Sequence, residues 1–317
     1  MDVILTVTLN AALDITYRVD ALRPQTTHRV AGVAERPGGK GVNVARVLHA
    51  LGEPVLATGL AGGATGARIR RLLAGGGVRE AFVPIGGESR RTLVVAAGDD
   101  EPTGFWEPGP RVTADEWDAF LGRYRELLAD AGVAVLSGSL PPGVPRDAYA
   151  VLVGLAADAG VATILDADGD PAYLGVRAGP DVVKPNAREL SALHGIILGR
   201  SVTVGTVDGA VDAAAAIRAL GARSVVASLG PDGLLAAAGE RVYRAVPAEH
   251  VAGNPTGAGD AAVAGLARGA RTGQPWPERL RDAVALSAAA VAAPVAGELS
   301  LEEYERQRAA VTVTELR

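Results

Sequence analysis

A glycine-rich turn near the C-terminal end of the sequence supplies the first candidate for a catalytic group. Residues 254–260 read NPTGAGD, and the apolar stretch AAVAGLARGA that follows is typical of a buried helix. The first N–H groups of a helix have no intrahelical acceptor, so glycines there let an anion approach them closely. Asp260 would lie in the first helical turn, beside that anion. The helix dipole also favours an aspartate in this place, so a purely structural role is the competing interpretation.

Another glycine-rich segment, PGGKGVNVARVL, lies much earlier in the sequence, at 37–48. In chain order, 37–48 is the first glycine motif and 254–260 the second. The glycines of 37–48 would let the backbone pass close to a ligand, while Lys40 offers a cation and Asn43 an amide that both donates and accepts hydrogen bonds. The segment is not a Walker A loop, because the spacing differs and no Ser or Thr follows the lysine. The competing interpretation is a glycine-rich connection into a helix.

Polar residues follow two strand-like runs in the middle of the chain. VAVLSGS and VATILDA are apolar throughout, as buried parallel strands are, and they end on Ser137, Ser139, Asp166 and Asp168. In open parallel sheets the binding crevice lies at the carboxyl ends of the strands. These four side chains are therefore expected at the rim of a site.

Strand-like and helix-like segments alternate around these motifs. This alternation predicts right-handed crossovers and an α/β fold whose parallel sheet is covered on both faces. VVASLGPDGLLAAA is expected to form a hairpin, and a helical region begins at about residue 258, with a break at 275–277. No linker or repeat divides the chain, so we expect one domain over residues 1–317.

Two segments, about 11–36 and 81–108, depart from this rhythm. They alternate polar and apolar residues between turn residues, which predicts short antiparallel strands rather than crossover helices. We expect them to form a small β-sheet that lies over the strand ends as a lid and excludes water. Ordinary edge hairpins are the alternative.

Composition excludes several classes of function. The sequence has no cysteine, so disulfides, thiolate catalysis and sulfur-ligated zinc are ruled out, and its four histidines are scattered. A net charge of −5 argues against a nucleic-acid surface. The N-terminal stretch lacks the basic flank of a signal peptide, and no apolar run is suited to span a bilayer, so we expect a cytoplasmic protein without membrane partners. No G-x-G-x-x-G follows the first strand, which disfavours a dinucleotide oxidoreductase.

GGKGVNVAR and NPTGAGD together resemble the paired signatures of the PfkB, or ribokinase-like, carbohydrate kinases, and the likeness extends over essentially the whole chain. TLNAALDITY resembles the opening of the branch with 1-phosphofructokinase, tagatose-6-phosphate kinase and the minor 6-phosphofructokinase, with Ala11 in place of the usual proline. The resemblance implies an α/β, ribokinase-like three-layer αβα domain with a mostly parallel central sheet and a small β-sheet lid. It also implies a homodimer formed through the lid sheets.

The resemblance implies a role for each candidate residue. Asp260 would be the base, helped by the backbone of Gly257, Ala258 and Gly259. ATP would be bound by Lys184, Asn186, Ser228, Gly230, Gly233, Thr256, Gly257 and Gly259. The sugar would be bound by Asp14, Arg29, Gly38, Gly39, Lys40, Asn43, Arg90 and Ser139. Glu189 would hold Mg²⁺ through water, although Asn186 and Glu189 are also spaced as a helix cap. A requirement for K⁺ stays open.

Three cations indicate what kind of sugar is bound. GESRRTLVV resembles the GETR element of phosphosugar kinases, with Arg90 in the matching position, and Arg29 and Lys40 lie on segments expected to converge with it. Arginine forks suit phosphate oxygens, whereas each residue alone would by default be a solvated surface charge. We therefore expect a phosphosugar, with the residues around Thr92 closer to tagatose-6-phosphate kinases and fructose 1-phosphate fully open.

The expected reaction is ATP-dependent phosphorylation of a hydroxyl group of a ketohexose phosphate, which gives a bisphosphate and ADP. Two alternatives stay open. A kinase of an unphosphorylated sugar or nucleoside would not need the three cations. A non-catalytic sugar-phosphate sensor would not need the intact Asp260.

Overall fold

Short apolar strands alternate with helices along most of the chain, as the sequence pattern predicts. The computed structural model describes residues 2–97, 102–249, 251, 253, 255–293 and 298–316. Residues 98–101 of the expected lid, Asn254 of the second glycine motif and residues 294–297 of the helical region lie outside the described residues. The strands are β1 (Val3–Thr8), β2 (Ala12–Val19), β3 (Gly32–Gly38), β4 (Val55–Gly62), β5 (Val83–Ile85), β6 (Arg90–Ala97), β7 (Thr103–Trp106), β8 (Ala131–Ser137), β9 (Ala162–Asp166), β10 (Val182–Val183), β11 (Ser224–Ser228), β12 (Leu234–Ala238), β13 (Arg241–Val246) and β14 (Thr312–Glu315).

One large sheet has the strand order β14-β13-β12-β11-β10-β9-β8-β1-β4-β5. The strands from β11 to β5 are parallel, and β12, β13 and β14 extend one edge in antiparallel fashion. The predicted mostly parallel sheet and the β11–β12 hairpin are thus confirmed. Because the carboxyl ends of parallel strands share one edge, the segments after β1, β8, β9, β10 and β11 are brought together there.

Helices cover both faces of this sheet. They are α1 (Lys40–Ala50), α2 (Gly63–Gly75), α3 (Ala114–Leu128), α4 (Ala148–Asp158), α5 (Gly169–Arg177), α6 (Ala187–Leu198), α7 (Val207–Leu220), α8 (Ala258–Arg271), α9 (Trp276–Val291) and α10 (Leu301–Ala310). Successive strand residues point to opposite faces, so Ile4 packs in the core with α1, α8 and α9, whereas Leu5 packs with α3, α4 and α7. The structure therefore has three αβα layers. Among the described helices, none combines the length and apolar character needed to span a membrane.

Four strands form a second, smaller sheet in the order β3-β2-β6-β7. The small sheet predicted from 11–36 and 81–108 is therefore present, with two corrections. Val83–Ile85, at the start of the second segment, pairs with β4 as an edge strand of the large sheet, because its apolar side chains are buried there. In addition, β2 and β6 are parallel, because the chain returns to the large sheet between them.

A buried ionic cluster fastens the C-terminal helices to each other. Asp282 of α9 is fully buried and accepts hydrogen bonds from Arg308 Nε at 2.5 Å and Tyr304 Oη at 3.1 Å, both on α10. Arg268 of α8 lies 3.6 Å away and also donates to Glu53 at 2.9 Å. Removing one partner of such a cluster leaves the remaining charges unpaired inside the protein.

Asp282→Ala is therefore expected to lower the free energy of unfolding by about 3–5 kcal/mol. The matched control is Arg123→Ala, which breaks the exposed Arg123–Glu126 pair on α3 and should cost no more than about 1 kcal/mol. Urea denaturation followed by circular dichroism measures both values. Similar losses in the two variants would contradict a stabilising role for the cluster.

Candidate active site

The second glycine motif forms the start of helix α8. Gly257 is the N-cap residue and has a φ of 87°, a left-handed conformation that glycine adopts without strain. The N–H of Ala258 donates to Pro255 O at 3.2 Å, while Gly259 and Asp260 belong to the first turn, where N–H groups have no intrahelical acceptor. Asp260 is only 7% exposed. The turn thus combines an anion-binding geometry with a buried carboxylate.

The two glycine motifs meet in space, as the sequence analysis predicts. Asn43 Nδ2, in the first turn region of α1, donates a hydrogen bond of 2.9 Å to Asp260 Oδ2, although 217 positions separate the two residues. Asn43 is itself buried, and its Oδ1 has no partner among the described residues. This amide therefore fixes one carboxylate oxygen of Asp260 and leaves the other available.

The surroundings of Asp260 raise the pKa of its carboxyl to about 7. Burial is the main cause, because it penalises the charged form, and the negative charge of Asp166 adds to it. The hydrogen bond from Asn43 and the charges of Lys40 and Lys184 act in the opposite direction. A carboxyl with such a pKa can accept a proton near neutral pH.

Two lysines share one buried carboxylate at this site. Lys40 Nζ lies 3.2 Å and Lys184 Nζ 3.6 Å from Asp166 Oδ1, and Lys40 is also 3.8 Å from Glu189 Oε1. Burial alone would lower the pKa of Lys40, but Asp166 and Glu189 outweigh burial and the pKa is raised. Lys40 therefore stays charged, and Asp166 holds both ammonium groups in place.

Sequence reasoning placed Asp166 at the rim of the site but gave it no role. The structure puts it at the centre of the lysine pair, with 1% of its surface exposed. Its position at the end of β9 was the only signal, and nothing in the sequence says which lysines it meets. Lys184 directly follows β10 and is thereby brought next to it.

The residues expected to bind nucleotide line the ends of β10 and β11. Asn186 and Glu189 form a capping box at the start of α6, with two hydrogen bonds of 2.9 Å, so the structural alternative for this pair is present. Asn186 also pairs with Ser228 through an isolated bridge. Gly230 begins the short 3₁₀ helix that follows Ser228, and Gly233 is its C-cap residue. Thr256 lies in the turn before α8, and a Cβ on Gly259 would come 3.5 Å from Lys184 Nζ.

Asp14 lies directly against the first glycine motif. A Cβ on Gly38 would come 2.1 Å from Asp14 Oδ2, so only glycine leaves room for the carboxylate. Burial raises the pKa of Asp14 to about 6, while Arg90 and a hydrogen bond with Thr92 act to lower it. The Asp14 carboxylate therefore packs directly on the backbone of Gly38.

The three cations expected to converge behave differently. Arg90 is half-buried near Asp14 and donates from Nε to Asn10 O at 3.1 Å. Ser139 is exposed and accepts from Asn10 Nδ2 at 3.1 Å. Lys40 is instead engaged by Asp166. Within the described residues, Arg29 is exposed between β2 and β3 and forms no hydrogen bond or ion pair with the other candidates.

The donor set fits a magnesium ion that is shared with a ligand. No group of three or more His, Asp or Glu side chains among the described residues could enclose a metal by itself. Asp166 and Glu189 nevertheless face the same lysine beside Asp260. Mg²⁺ usually keeps several waters and takes one or two carboxylates together with phosphate oxygens, which suits this pair.

Comparison with solved structures finds relatives that match this chain over nearly its whole length. E. coli phosphofructokinase-2, solved in complex with fructose-6-phosphate, is 32% identical with a TM-score of 0.89 over 98% of this chain and 99% of its own. The same enzyme in complex with potassium gives 32% identity and a TM-score of 0.91 at the same coverage. A protein from Thermotoga maritima described as a possible 1-phosphofructokinase is 29% identical with a TM-score of 0.88, over 99% of this chain and 100% of its own.

The family assignment follows from the extent of the match. Residues 7–303 match the pfkB family carbohydrate kinases, a span that contains Asp14, both glycine motifs and Asp260. The sequence-based prediction of the family and of its ribokinase-like fold is thereby confirmed. The chain belongs to the pfkB family of carbohydrate kinases.

Proposed function

We propose that this protein transfers the γ-phosphoryl group of ATP to a hydroxyl group of a ketohexose phosphate and releases ADP and a sugar bisphosphate. The observation that carries the proposal is the hydrogen bond between Asn43 and the buried Asp260. It joins the segment suited to hold a sugar to the helix start suited to hold a phosphate. A carboxylate with a raised pKa lies where the two ligands would meet.

The reaction requires little covalent chemistry from the protein. The accepting hydroxyl gives its proton to the free oxygen of the Asp260 carboxylate while its oxygen bonds to the γ-phosphorus. The bond from that phosphorus to the β–γ bridging oxygen breaks, and ADP leaves with the electron pair. Because the transition state is loose, orientation by Asn43 and Asp260 matters more than the strength of the base.

The nucleotide phosphates would lie against the start of α8. The amides of Gly259 and Asp260 supply hydrogen-bond donors, and Lys40 and Lys184 supply positive charge. Magnesium, held by the phosphates with Glu189 and Asp166, would neutralise negative charge on the transferred group. Ser228, Gly230 and Gly233, together with Asn186 and Thr256, are proposed to bind the rest of the nucleotide.

The sugar would lie between Asp14 and the Gly38–Gly39 backbone. Asp14 can accept hydrogen bonds from two neighbouring hydroxyls, and Asn43 can contact a third. Arg90, near Asp14, is proposed to bind the phosphate that the substrate already carries. The assignment of Arg29 to the same phosphate has no contact to support it, and Lys40 is better placed for the nucleotide.

Two other functions remain as competitors in the test. A kinase of free sugars or nucleosides would leave Arg90 without a ligand. A sugar-phosphate sensor would have no use for a buried base with a pKa near neutrality. E. coli phosphofructokinase-2 was solved with fructose-6-phosphate, and the Thermotoga maritima protein is described as a possible 1-phosphofructokinase. Both descriptions favour a ketohexose phosphate as the substrate, with tagatose 6-phosphate among the candidates.

The decisive experiment is an ADP-release assay with a panel of acceptors. The panel contains fructose 1-phosphate, fructose 6-phosphate, tagatose 6-phosphate, free hexoses, ribose and adenosine. We expect a phosphosugar to give the highest kcat/KM, and Asp260→Asn to lower kcat at least about a hundredfold while ATP affinity stays close to that of the wild type. Preference for an unphosphorylated acceptor would overturn the substrate class. Full activity of Asp260→Asn would show that Asp260 is not the base.

The pH dependence of kcat/KM provides a separate test of the base. Activity should fall as the pH drops through about 7, because protonation of Asp260 removes the acceptor. Asp166→Asn should move this acidic limb to lower pH, since Asp166 raises the pKa of Asp260, and Asn43→Ala should move it to higher pH. The ionisation of the substrate is common to all variants and cancels in the comparison. Shifts in the same direction would contradict the assignment.

We also propose that two copies associate through the small sheet. Phe105 is 55% and Trp106 69% exposed, and Val33 on the same sheet is 61% exposed. A hollow of about 340 Å³ lies beside Phe105 and Trp106 and is lined by Tyr17 and Leu93. Such an apolar patch with open sheet edges is suited to a second copy of the same surface.

Sedimentation velocity tests this association. The wild-type protein is expected to sediment as a dimer, and Phe105→Asp should shift it toward a monomer because a buried charge would face an apolar surface. Ile196→Asp is the matched control, since Ile196 is 43% exposed on α6, a helix that packs chiefly against α5, α7 and β11. A monomeric wild type, or equal effects of both substitutions, would rule out this interface.

A further inference from the structure

Asn10 occupies the turn that connects the large sheet to the small sheet. It lies between the end of β1 and the start of β2, and only 6% of its surface is exposed. The proposed reaction gives this residue no direct part. Its hydrogen bonds nevertheless reach three segments that are distant in the sequence.

The side-chain amide of Asn10 ties two of these segments together. Nδ2 donates to Pro108 O and to Ser139 Oγ, each at 3.1 Å. Pro108 follows β7, where the chain returns from the small sheet, whereas Ser139 follows β8 in the large sheet. One amide therefore connects both sides of the junction between the two sheets.

The main-chain carbonyl of Asn10 orients the third segment. Arg90 Nε donates to this carbonyl oxygen at 3.1 Å. The guanidinium is planar and its donors form a rigid fork, so fixing Nε also fixes the direction of the two terminal nitrogens. The direction in which Arg90 presents its charge thus depends on the turn that the Asn10 side chain holds.

The direction of the hydrogen bonds also decides what Ser139 can offer. Because its oxygen accepts from Asn10 Nδ2, the hydroxyl proton is left to be donated elsewhere. Ser139 is exposed, so a ligand can reach this proton. Arg90 and Ser139 are therefore two hydrogen-bond donors whose placement is set by one residue.

Stability alone does not account for the arrangement. Oδ1 of Asn10 is buried, and no hydrogen-bond partner for it exists in the described part of the chain. A buried acceptor without a partner opposes folding, and such atoms call for a functional explanation. The contacts of Asn10 with Arg90 and Ser139 support one such explanation, in which these two donors bind a ligand.

We infer that Asn10 is a positioning residue for the phosphate of the sugar substrate. It sets Arg90 and Ser139 at a fixed separation, so that both can donate to the oxygens of one phosphate group. The inference rests on the proposed function, because it requires a phosphorylated acceptor. Asn10 itself acts through its two neighbours and needs no contact with the reacting atoms.

The test compares KM values for the phosphosugar and for ATP. Fructose 1-phosphate, fructose 6-phosphate and tagatose 6-phosphate are each assayed. Asn10→Ala is expected to raise the KM of the preferred phosphosugar about tenfold or more, with the KM for ATP changed less than about twofold. Asn10→Asp, which keeps the shape but turns the Nδ2 donor into an acceptor, should do the same. If Asn10→Ala shows no thermal unfolding transition and is therefore not folded, the KM values of Asn10→Asp decide the test.

A second arm separates positioning from a general structural effect. In a chain that already carries Arg90→Ala and Ser139→Ala, adding Asn10→Ala should change the phosphosugar KM by less than about threefold, because its targets are gone. Arg123→Ala is the control, since Arg123 is exposed on α3 and paired with Glu126, and it should leave both KM values near those of the wild type.

The outcomes distinguish the two proposals. An unchanged phosphosugar KM in the folded Asn10 variants, or a full additional effect in the doubly substituted chain, overturns the role of Asn10 even when Arg90→Ala is impaired. A failure of the proposed function appears differently, because Arg90→Ala would then leave the KM unchanged and the wild type would not prefer phosphosugars.

Discussion

The hydrogen bond between Asn43 and Asp260 is the contact on which the site depends. It can form only because the first turns of α1 and α8 approach each other on the same face of the large sheet. Small residues also bring α8 close to its other neighbour, α9. A Cβ on Gly265 of α8 would meet the backbone of Ala283 on α9 at 2.8 Å, so these helices pack with almost no side chain between them. The small residues of α8 therefore let the helix that carries Asp260 lie close against its neighbour in the core.

The charged groups around this contact carry an excess of negative charge that a bound cation can neutralise. Asp166, Glu189 and Asp260 are three carboxyl groups, whereas Lys40 and Lys184 are two ammonium groups, so the fully ionised cluster carries one excess negative charge. The raised pKa of Asp260 reflects burial first and the negative charge of Asp166 second. ATP brings further negative charge, so a divalent cation must accompany it. Without a cation, the carboxylates of Asp166 and Glu189 would repel the ATP phosphates. The same two carboxylates are suited to hold the cation.

Sequence patterns predicted the fold well because the signals were local. Apolar strands, the β11–β12 hairpin and the helix break near Pro275 are each specified by residues within a few positions. The pairing of Val83–Ile85 with the large sheet was missed, because an alternating pattern does not say which sheet edge is nearby. The parallel pairing of β2 with β6 was missed for the same reason, since it depends on the path of the chain between them.

The site shows the same limit. The glycine motifs and Asp260 were identified because their residue types carry chemistry at fixed spacing, and their meeting was expected from two matching motifs. Asp166 and Asn10 were not given roles, since each acts through partners brought close only by the fold. Conversely, Arg29 has a suitable residue type but no contact that links it to the other candidates. Residue type can thus nominate a charged group, but only the fold supplies its partners.

In the proposed reaction, most sugar-binding groups come from the first half of the sequence and most nucleotide-binding groups from the second half. The groups suited to the sugar come from Asp14, the 37–48 segment and Arg90. Those suited to the nucleotide and its metal come from 166–260, with Lys40 as the exception. The first half also contains the entire small sheet, which joins the large sheet through the turn at Asn10. A shift of the small sheet would therefore move the sugar-binding groups relative to the nucleotide-binding groups. The position of the small sheet must consequently be fixed at its junction, because transfer depends on orientation to within fractions of an ångström.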